Sequence, residues 1–573
     1  MKIPFLLSLL GIFHLAIATS SSNCTFDQIS PSKTLTWCPC SNGFFCAKLD
    51  VPLDYQNPHL GRASVPMVKY PAQTNSSDGP YQGQILLNPG GPGASGISEA
   101  LNNANEIQAV AGSNWDIVGF DSRGMWLSEP NANCSANNTI SAENITLYSR
   151  SVPRVTDEFY DSFIEFGKEL GERCEKITGG QRDAGPHMST ATTARDMLSI
   201  VKAFAASENG ERASKPSHLL NYYGISYGTF LGQTFASMFP DRVGNMVLDG
   251  VVSPAGYLTN YTSESVYHLD GIIAAFFIYC HEAGPSECSY YTGSTPKDIY
   301  ERFNQSFVQL DPRKAEAENW SNATDLEAAL LTLKVGLLSA AVSPFSYFTL
   351  LPKILLDLES AISAQDIGPL ANQLSTSFGD PAPGPAAYEN PEWSLGVMCS
   401  DQNNRLYNKT LQDLRPQLQV LESESIIGEI WSKAVLGCTG WPIKANEIFA
   451  GPFGGDTATP ILFVSNTYDP VTPIENAIAS APNYKNAQLL TIDGMGYRRR
   501  TVKTSIPLQP TPLDICHRYH VLIVFPWKPP HIHIARMEAD ILPYQYAYFE
   551  RKKGEEFEGG RVIFEVGGKR VGF

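Results

Sequence analysis

The sequence predicts an α/β fold in which a doubly wound, mostly parallel sheet carries a helical cap inserted between its late strands. Short apolar runs closed by glycine-rich or polar turns recur towards both ends of the chain, as expected of buried parallel strands. Between them lies a block of longer stretches with helical spacing. The chain of 573 residues is 43% hydrophobic and only 17% charged, so it is globular and long enough for both parts.

Six apolar runs are the predicted strands of the sheet. They cover residues 85–87, 115–120, 219–223, 246–248, 460–464 and 489–492. The predicted cap occupies residues 253–458, where stretches such as 325–338 and 346–363 have apolar residues three and four positions apart. These apolar faces are interpreted as core. The sheet domain is therefore predicted to be split into residues 19–252 and 459–496.

The N-terminus, residues 1–18, reads as a signal peptide. Lys2 precedes an apolar run over residues 5–15, which is followed by Ala16, Ala18 and then a polar segment. The run is too short to span a bilayer, and no later segment has the roughly 18 uncharged apolar residues that a transmembrane helix needs. We expect the mature protein to be soluble, secreted and extracellular, with no membrane partner.

Two residue patterns agree with export. The eleven cysteines are better explained by disulfides than by metal ligands, because no Cys-x-x-Cys pair has histidines at zinc spacing. An odd number leaves at least one thiol unpaired or outside its native context, and we expect neither a metal nor a cofactor. Sequons for N-linked glycans on a eukaryotic secretory route occur at Asn23, Asn75, Asn133, Asn137, Asn144, Asn260, Asn304, Asn319, Asn322 and Asn408.

Charge restricts the partners of the protein. A net charge of −16 and a pI near 5.1 argue against nucleic acid and suit a soluble protein in a mildly acidic medium. Residues 497–573 differ from the rest of the chain, because basic side chains outnumber acidic ones there. This composition change marks the segment as a separate tail.

A Gly-x-Ser-x-Gly motif over residues 224–228 makes Ser226 the candidate nucleophile. Glycines on both sides of the serine allow the tight strand-to-helix turn that exposes its hydroxyl above a sheet. The motif alone is weak evidence, and a serine packed in an ordinary turn is the alternative. Its context strengthens it, because the apolar strand 219–223 precedes it and the helix-like segment 229–238 follows.

The glycine-rich loop over residues 88–93 follows the first predicted strand. Such a loop can turn backbone amides towards a developing oxyanion. The amide of Tyr227, together with that of Gly90 or Gly91, is predicted to form the oxyanion hole. A plain turn, or a phosphate-binding loop without its lysine, is the alternative.

With further motifs, these segments resemble the secreted tripeptidyl aminopeptidases, in the prolyl-aminopeptidase-like branch of the α/β-hydrolase superfamily. The resemblance covers roughly residues 35–496, and its motifs are specific in combination. They lie at 45–55, 88–96, 115–124, Thr229, Gly232, 239–251, 399–401 and 438–442. The resemblance implies a secreted serine exopeptidase that releases short peptides or single residues from substrates with free N-termini. It also implies that acidic side chains of the cap bind the substrate ammonium, without identifying them.

Asp469 is predicted to be the acid of a catalytic triad. It lies in a loop after the strand 460–464 and downstream of Ser226, which fits the order Ser, Asp, His of this fold. The family's acid segment resembles residues 465–473. An aspartate that caps a helix is the alternative.

The triad histidine is missing from its expected position after the last strand, where Gly496 is followed by Tyr497. Tyr497 is a poor substitute near neutral pH, because a phenol has a pKa of about 10. Loss of the histidine from such a triad typically costs about 10⁴- to 10⁶-fold in rate. The histidines downstream of Asp469 have no strand-Gly context: His517, His520, His531 and His533. The last two would share a strand face and could bind a metal, but exposed or packed imidazoles explain them better.

Three interpretations of function follow. The leading one is a serine exopeptidase whose base is absent from this chain. The alternatives are an esterase on the same scaffold and a catalytically inactive homologue that binds ligands in the cleft where an active relative would bind its substrate. The abrupt change at residue 497 further suggests that residues 497–573 are an aberrant tail, produced by a shifted reading frame or an unspliced intron.

Overall fold

The structure is a computed structural model that describes residues 23–73, 76–134, 157–259, 265–378 and 391–497, together with three short strands beyond residue 546. The predicted signal peptide, the histidines of the tail and Cys516 lie outside the described residues. So do the sequons at Asn75, Asn137, Asn144 and Asn260. Of the described sequons, Asn133 is half-buried, and the exposed ones are Asn23, Asn304, Asn319, Asn322 and Asn408.

A mostly parallel sheet forms the centre of the described chain, as the sequence predicts. Its strand order is β1-β2-β3-β5-β4-β6-β7-β8-β9, and β4 to β9 are parallel to one another. The strands are β1 (Cys38–Pro39), β2 (Phe45–Pro52), β3 (Arg62–Tyr70), β4 (Gly83–Asn88), β5 (Trp115–Phe120), β6 (Leu220–Ile225), β7 (Val243–Asp249), β8 (Ile461–Tyr468) and β9 (Gln488–Met495). All six predicted strands are present, and the α/β prediction is confirmed.

The strands β1 to β3 form an antiparallel extension that the sequence did not predict. Charged residues and a proline interrupt the apolar pattern of β2 and β3. Lys48 and Lys69 are nevertheless buried, because Lys48 pairs with Glu129 at 3.2 Å and Lys69 with Asp116 at 3.7 Å. Partners that are distant in sequence thus allow a buried strand to carry charge.

Helices cover the sheet and build the cap. They are α1 (Gly96–Ala111), α2 (Asp157–Thr178), α3 (Thr190–Ala205), α4 (Glu208–Arg212), α5 (Tyr227–Met238), α6 (Pro254–Thr259), α7 (Leu269–Ala283), α8 (Pro296–Phe307), α9 (Pro312–Ala317), α10 (Leu326–Val342), α11 (Pro344–Tyr347), α12 (Leu351–Ala364), α13 (Gly368–Phe378), α14 (Pro391–Asp401), α15 (Leu411–Glu424), α16 (Gly428–Trp431), α17 (Lys433–Cys438) and α18 (Ile474–Ser480). Beyond residue 546, three short strands form a small antiparallel sheet: β10 (Ala547–Tyr548), β11 (Ile563–Val566) and β12 (Lys569–Gly572).

The helical block between β7 and β8 contributes to two hydrophobic cores. Helices α7 to α13 pack around a core of their own, with side chains such as Phe276, Leu333 and Leu358. Helices α14 and α17 instead pack into the core of the sheet domain, through Trp393 and Leu436 among others. The second half of the block is therefore attached to the sheet.

Five disulfides are present among the described residues, and disulfides were predicted from the cysteine content. They join Cys24 to Cys38, Cys40 to Cys46, Cys134 to Cys174, Cys280 to Cys288, and Cys399 to Cys438. In the described ranges, no helix is both long and apolar enough to cross a bilayer.

Candidate active site

Ser226 lies at the sharp turn between β6 and α5. Its backbone has φ 57° and ψ −128°, a conformation that is costly for a residue with a side chain and that often marks a functional site. The surroundings hold it there: the Ser226 amide donates to the carbonyl of Asp249 at 3.0 Å, and the Ser226 carbonyl accepts from the Thr229 amide at 2.8 Å. This is the geometry predicted from the motif.

The second glycine of the motif allows the turn to approach the glycine loop. A methyl group on Gly228 would lie 2.5 Å from the carbonyl oxygen of Asn88. A side chain there would separate the serine turn from the loop, which explains the requirement for glycine.

Of the two glycine amides predicted as alternative oxyanion donors, only that of Gly91 is available for a substrate. The Gly90 amide donates to the Asn88 side chain at 3.0 Å, so this hydrogen is already used. Within the described residues the Gly91 amide has no acceptor, and the Tyr227 amide lies in the first turn of α5, where helical amides lack intrahelical partners. Gly91 and Tyr227 are therefore the better candidate pair of oxyanion donors.

Asp469 directly follows β8 and is buried. Its Oδ1 accepts hydrogen bonds from the amides of Val471 at 2.9 Å and Thr472 at 2.8 Å. Burial raises the pKa of its carboxyl to about 7, the two amides oppose this, and the nearby Asp249 adds to it. An acid whose triad partner is a cation would have a lower pKa.

Tyr497 occupies the region where a triad histidine is expected. Its amide donates to the carbonyl of Val342 at 2.9 Å, which ties the end of β9 to the cap. A methyl group on Gly250 would lie 3.3 Å from the Tyr497 ring, 3.0 Å from Thr472 Oγ1 and 3.8 Å from the Ser226 amide nitrogen. The ring, the acid loop and the serine turn thus meet around one point. No described histidine forms a hydrogen bond with Ser226 or Asp469.

A buried network of polar side chains lies behind Tyr227, and no sequence motif predicts it. Asp401, at the end of α14, accepts from the Thr190 amide at 2.8 Å, from the Thr190 hydroxyl at 2.6 Å and from the Tyr257 hydroxyl at 3.1 Å. The Thr190 hydroxyl also forms a hydrogen bond with the phenol of Tyr227. The motif 399–401 belongs to the family resemblance, but its sequence does not indicate a link through Thr190 to Tyr227.

The pKa of the Asp401 carboxyl predicts a pH dependence of stability. Burial raises it to about 7, against the effect of the Thr190 and Tyr257 hydrogen bonds. Because the folded-state pKa lies above the unfolded value, the protonated Asp401 carboxyl contributes fully to the free energy of unfolding below about pH 4. This contribution is lost as the pH rises to about 7. We expect wild type to lose roughly 2 kcal/mol relative to Asp401→Asn between pH 5 and pH 8. Urea unfolding at both pH values measures this, and an unchanged difference would contradict it.

Two family models match the chain, and together they contain every predicted site residue. One, described as alpha/beta hydrolase fold, matches residues 84–265, and the other, described as TAP-like protein, matches residues 424–505. The first range includes the glycine loop and Ser226, and the second includes Asp469 and Tyr497. The second match ends at residue 505, slightly beyond Gly496.

Curated relatives are similar over most of the chain. Serine protease Hip1 of Mycobacterium tuberculosis is 26% identical over 476 residues, which cover 80% of this chain and 84% of that protein. Tripeptidyl aminopeptidase of Streptomyces lividans is 24% identical over 452 residues, with coverage of 78% and 76%. Carboxylesterase B of Mycobacterium tuberculosis is 27% identical over 463 residues, with coverage of 78% and 79%.

Proposed function

We propose that the chain, which belongs to the α/β-hydrolase superfamily and has a TAP-like C-terminal part, is built as a secreted serine exopeptidase. The observation that supports the proposal is the position of Ser226 in its strained turn, with the glycine loop beside it and Asp469 in the neighbouring loop. The five disulfides support an extracellular location.

Each group has a defined role in the proposed reaction. Ser226 Oγ attacks the carbonyl carbon of the scissile peptide bond, and the Gly91 and Tyr227 amides donate to the oxyanion that forms. Asp469 orients the base. The base must accept the serine proton and pass it to the leaving amine, and Tyr497 cannot do this near neutral pH, because its phenol holds its proton. This chain is therefore expected to react slowly, if at all.

We propose that the tail from residue 497 is not native to the enzyme. The proposal rests on the composition, which changes at the position where the base is expected. Sequencing the transcript across residues 493–500 is expected to reveal a frame or splice form that encodes a histidine. A transcript that encodes the present sequence without interruption would refute the proposal.

Glu392 is the cap carboxylate that we propose for the substrate ammonium. It is fully buried in the first turn of α14, two residues before Ser394, whose hydroxyl donates to the glycine-loop carbonyl of Pro92. In a chain that carries a base, Glu392→Gln is expected to raise KM about 10-fold or more for peptides with free N-termini, because a buried ion pair is lost. N-acetylated peptides should be unaffected, and an equal effect on both would rule out this role.

Esterase activity is the second candidate, because carboxylesterase B is 27% identical over most of the chain. Side-by-side assays of tripeptide anilides and short-chain nitrophenyl esters distinguish the two. Cleavage of esters alone would replace the peptidase proposal.

A dead, ligand-binding homologue is the third candidate, because Tyr497 stands where the base is expected. A fluorophosphonate probe tests it with Ser226→Ala as the control. Labelling of wild type but not of the variant would demonstrate an activated serine and exclude this candidate.

A further inference from the structure

We propose that helix α14 holds both halves of the oxyanion hole in place, with Ser394 as the positioning residue for the Gly91 loop and Asp401 for Tyr227. The inference rests on the proposed function, since it concerns the same site. It assigns to one cap helix the task of fixing two backbone segments of the sheet domain.

The N-terminal end of α14 contacts the glycine loop. Ser394 Oγ donates to the carbonyl of Pro92 at 2.5 Å, directly after Gly91. The ring of Trp393 packs on Trp126 with centroids 4.9 Å apart, and Trp126 Nε1 donates to the carbonyl of Gly93 at 2.8 Å. The carbonyls of Pro92 and Gly93 are thus fixed from the side of α14, which restrains the loop immediately after Gly91.

The C-terminal end of α14 acts on the serine turn. Both carboxylate oxygens of Asp401 accept hydrogen bonds from Thr190, whose hydroxyl is also bonded to the phenol of Tyr227. Tyr227 supplies the other oxyanion amide. Its side chain is buried, so this chain of hydrogen bonds fixes the first turn of α5 and with it the direction of that amide.

Helix α14 is suited to this task because it is rigid. Nearly all its residues are buried, and the disulfide between Cys399 and Cys438 joins it to α17. A helix that is packed on all sides cannot move without repacking its neighbours. Its two ends therefore restrain the orientation of the glycine loop and of the serine turn, which approach each other directly at Gly228 and Asn88.

Two variants test the two ends separately by amide hydrogen exchange with mass spectrometry. In Ser394→Ala, exchange is expected to accelerate about 10-fold in the glycine loop, where the amides of Gly90 and Ala94 are otherwise bonded. In Thr190→Val, it should accelerate in the serine turn, at the amides of Ser226 and Thr229. Each variant should leave the other segment unchanged.

Matched controls separate positioning from general loosening. Ser425→Ala removes a serine hydroxyl that donates to Asp270 within the cap, and Thr178→Val removes a buried hydroxyl that donates to the carbonyl of Cys174. Neither control should change exchange at the loop or the turn. Unchanged exchange in Ser394→Ala and Thr190→Val, or a uniform increase across the chain, would overturn the proposal.

A kinetic measurement links the inference to catalysis. In a Tyr497→His background, Ser394→Ala and Thr190→Val should each lower kcat about 10-fold with KM unchanged, since complete loss of an oxyanion donor costs about 10²- to 10³-fold. Ser394→Thr, which keeps the hydroxyl, should restore kcat. Unchanged kcat in an active background would contradict the role. An inactive background would refute the proposed function instead, while hydrogen exchange would still decide the positioning role.

Discussion

Replacing Tyr497 with histidine is expected to increase the reactivity of Ser226 by at least about 10³-fold. Loss of the histidine from a Ser-His-Asp triad costs about 10⁴- to 10⁶-fold, and the other components are already close together in this chain. The Tyr497 ring faces the point where the serine turn and the Asp469 loop meet, and imidazole is smaller than phenol. The rate of fluorophosphonate labelling measures the effect, with tripeptide anilides as substrates.

The pH profile of the same variant gives an independent test. An unperturbed imidazole has a pKa of about 6.5, so labelling should rise as the pH passes through that region and the base loses its proton. Tyr497→Phe is the matched control, because it keeps the ring and offers no base, and it should label as slowly as wild type. If Tyr497→His were no faster than Tyr497→Phe, the remaining groups would not be assembled as proposed.

Local sequence signals were enough for the parts of the site that depend on neighbouring residues. Ser226 follows β6 and precedes α5, and a single motif encodes that turn. Asp469 directly follows β8, so its position could be inferred from one apolar run and the family resemblance. Strands β4 to β8 were predicted for the same reason, because burial leaves their apolar runs short and nearly uninterrupted. The strand β9 is at the edge of the sheet and is only partly buried, but it carries a short apolar run as well.

The features that the sequence did not predict depend on contacts between residues that are distant in the chain. Gly90 and Gly91 were equivalent in the sequence, and the side chain of Asn88 distinguishes them by taking the Gly90 amide. Asp401 lies 211 residues from Thr190, so no local pattern could reveal that it is linked through Thr190 to Tyr227. The antiparallel strands β2 and β3 were missed likewise, because the partners of Lys48 and Lys69 lie in other segments.

The division of the cap also depends on tertiary contacts. Apolar spacing identifies helices in residues 253–458 but does not say against which core each one packs. Helix α10 packs within the cap core, whereas α14 joins the core of the sheet domain. This attachment brings Ser394 to the glycine loop and links Asp401 through Thr190 to Tyr227, so the position of one helix accounts for contacts that neither motif predicted.

Replacing Gly90 with alanine is expected to lower the reactivity of Ser226 by about 10²-fold or more in any active form of this chain. Gly90 has φ +98°, and a methyl group there would lie 2.5 Å from the carbonyl of Ile225 and 2.7 Å from Ser226 Cβ. Backbone atoms cannot move aside as a flexible side chain can, so the loop must withdraw from the serine and take its oxyanion amide with it.

Gly43→Ala is the matched control for Gly90→Ala, because Gly43 also has a positive φ, +86°, and a methyl group there would meet no atom within 4 Å. It should cost about 1 kcal/mol or more in the free energy of unfolding and leave the labelling rate of Ser226 unchanged. Comparing the two variants by urea unfolding and fluorophosphonate labelling separates backbone strain from displacement of the loop. Equal labelling rates in both would show that the close approach of Gly90 to Ser226 is not needed for the oxyanion hole.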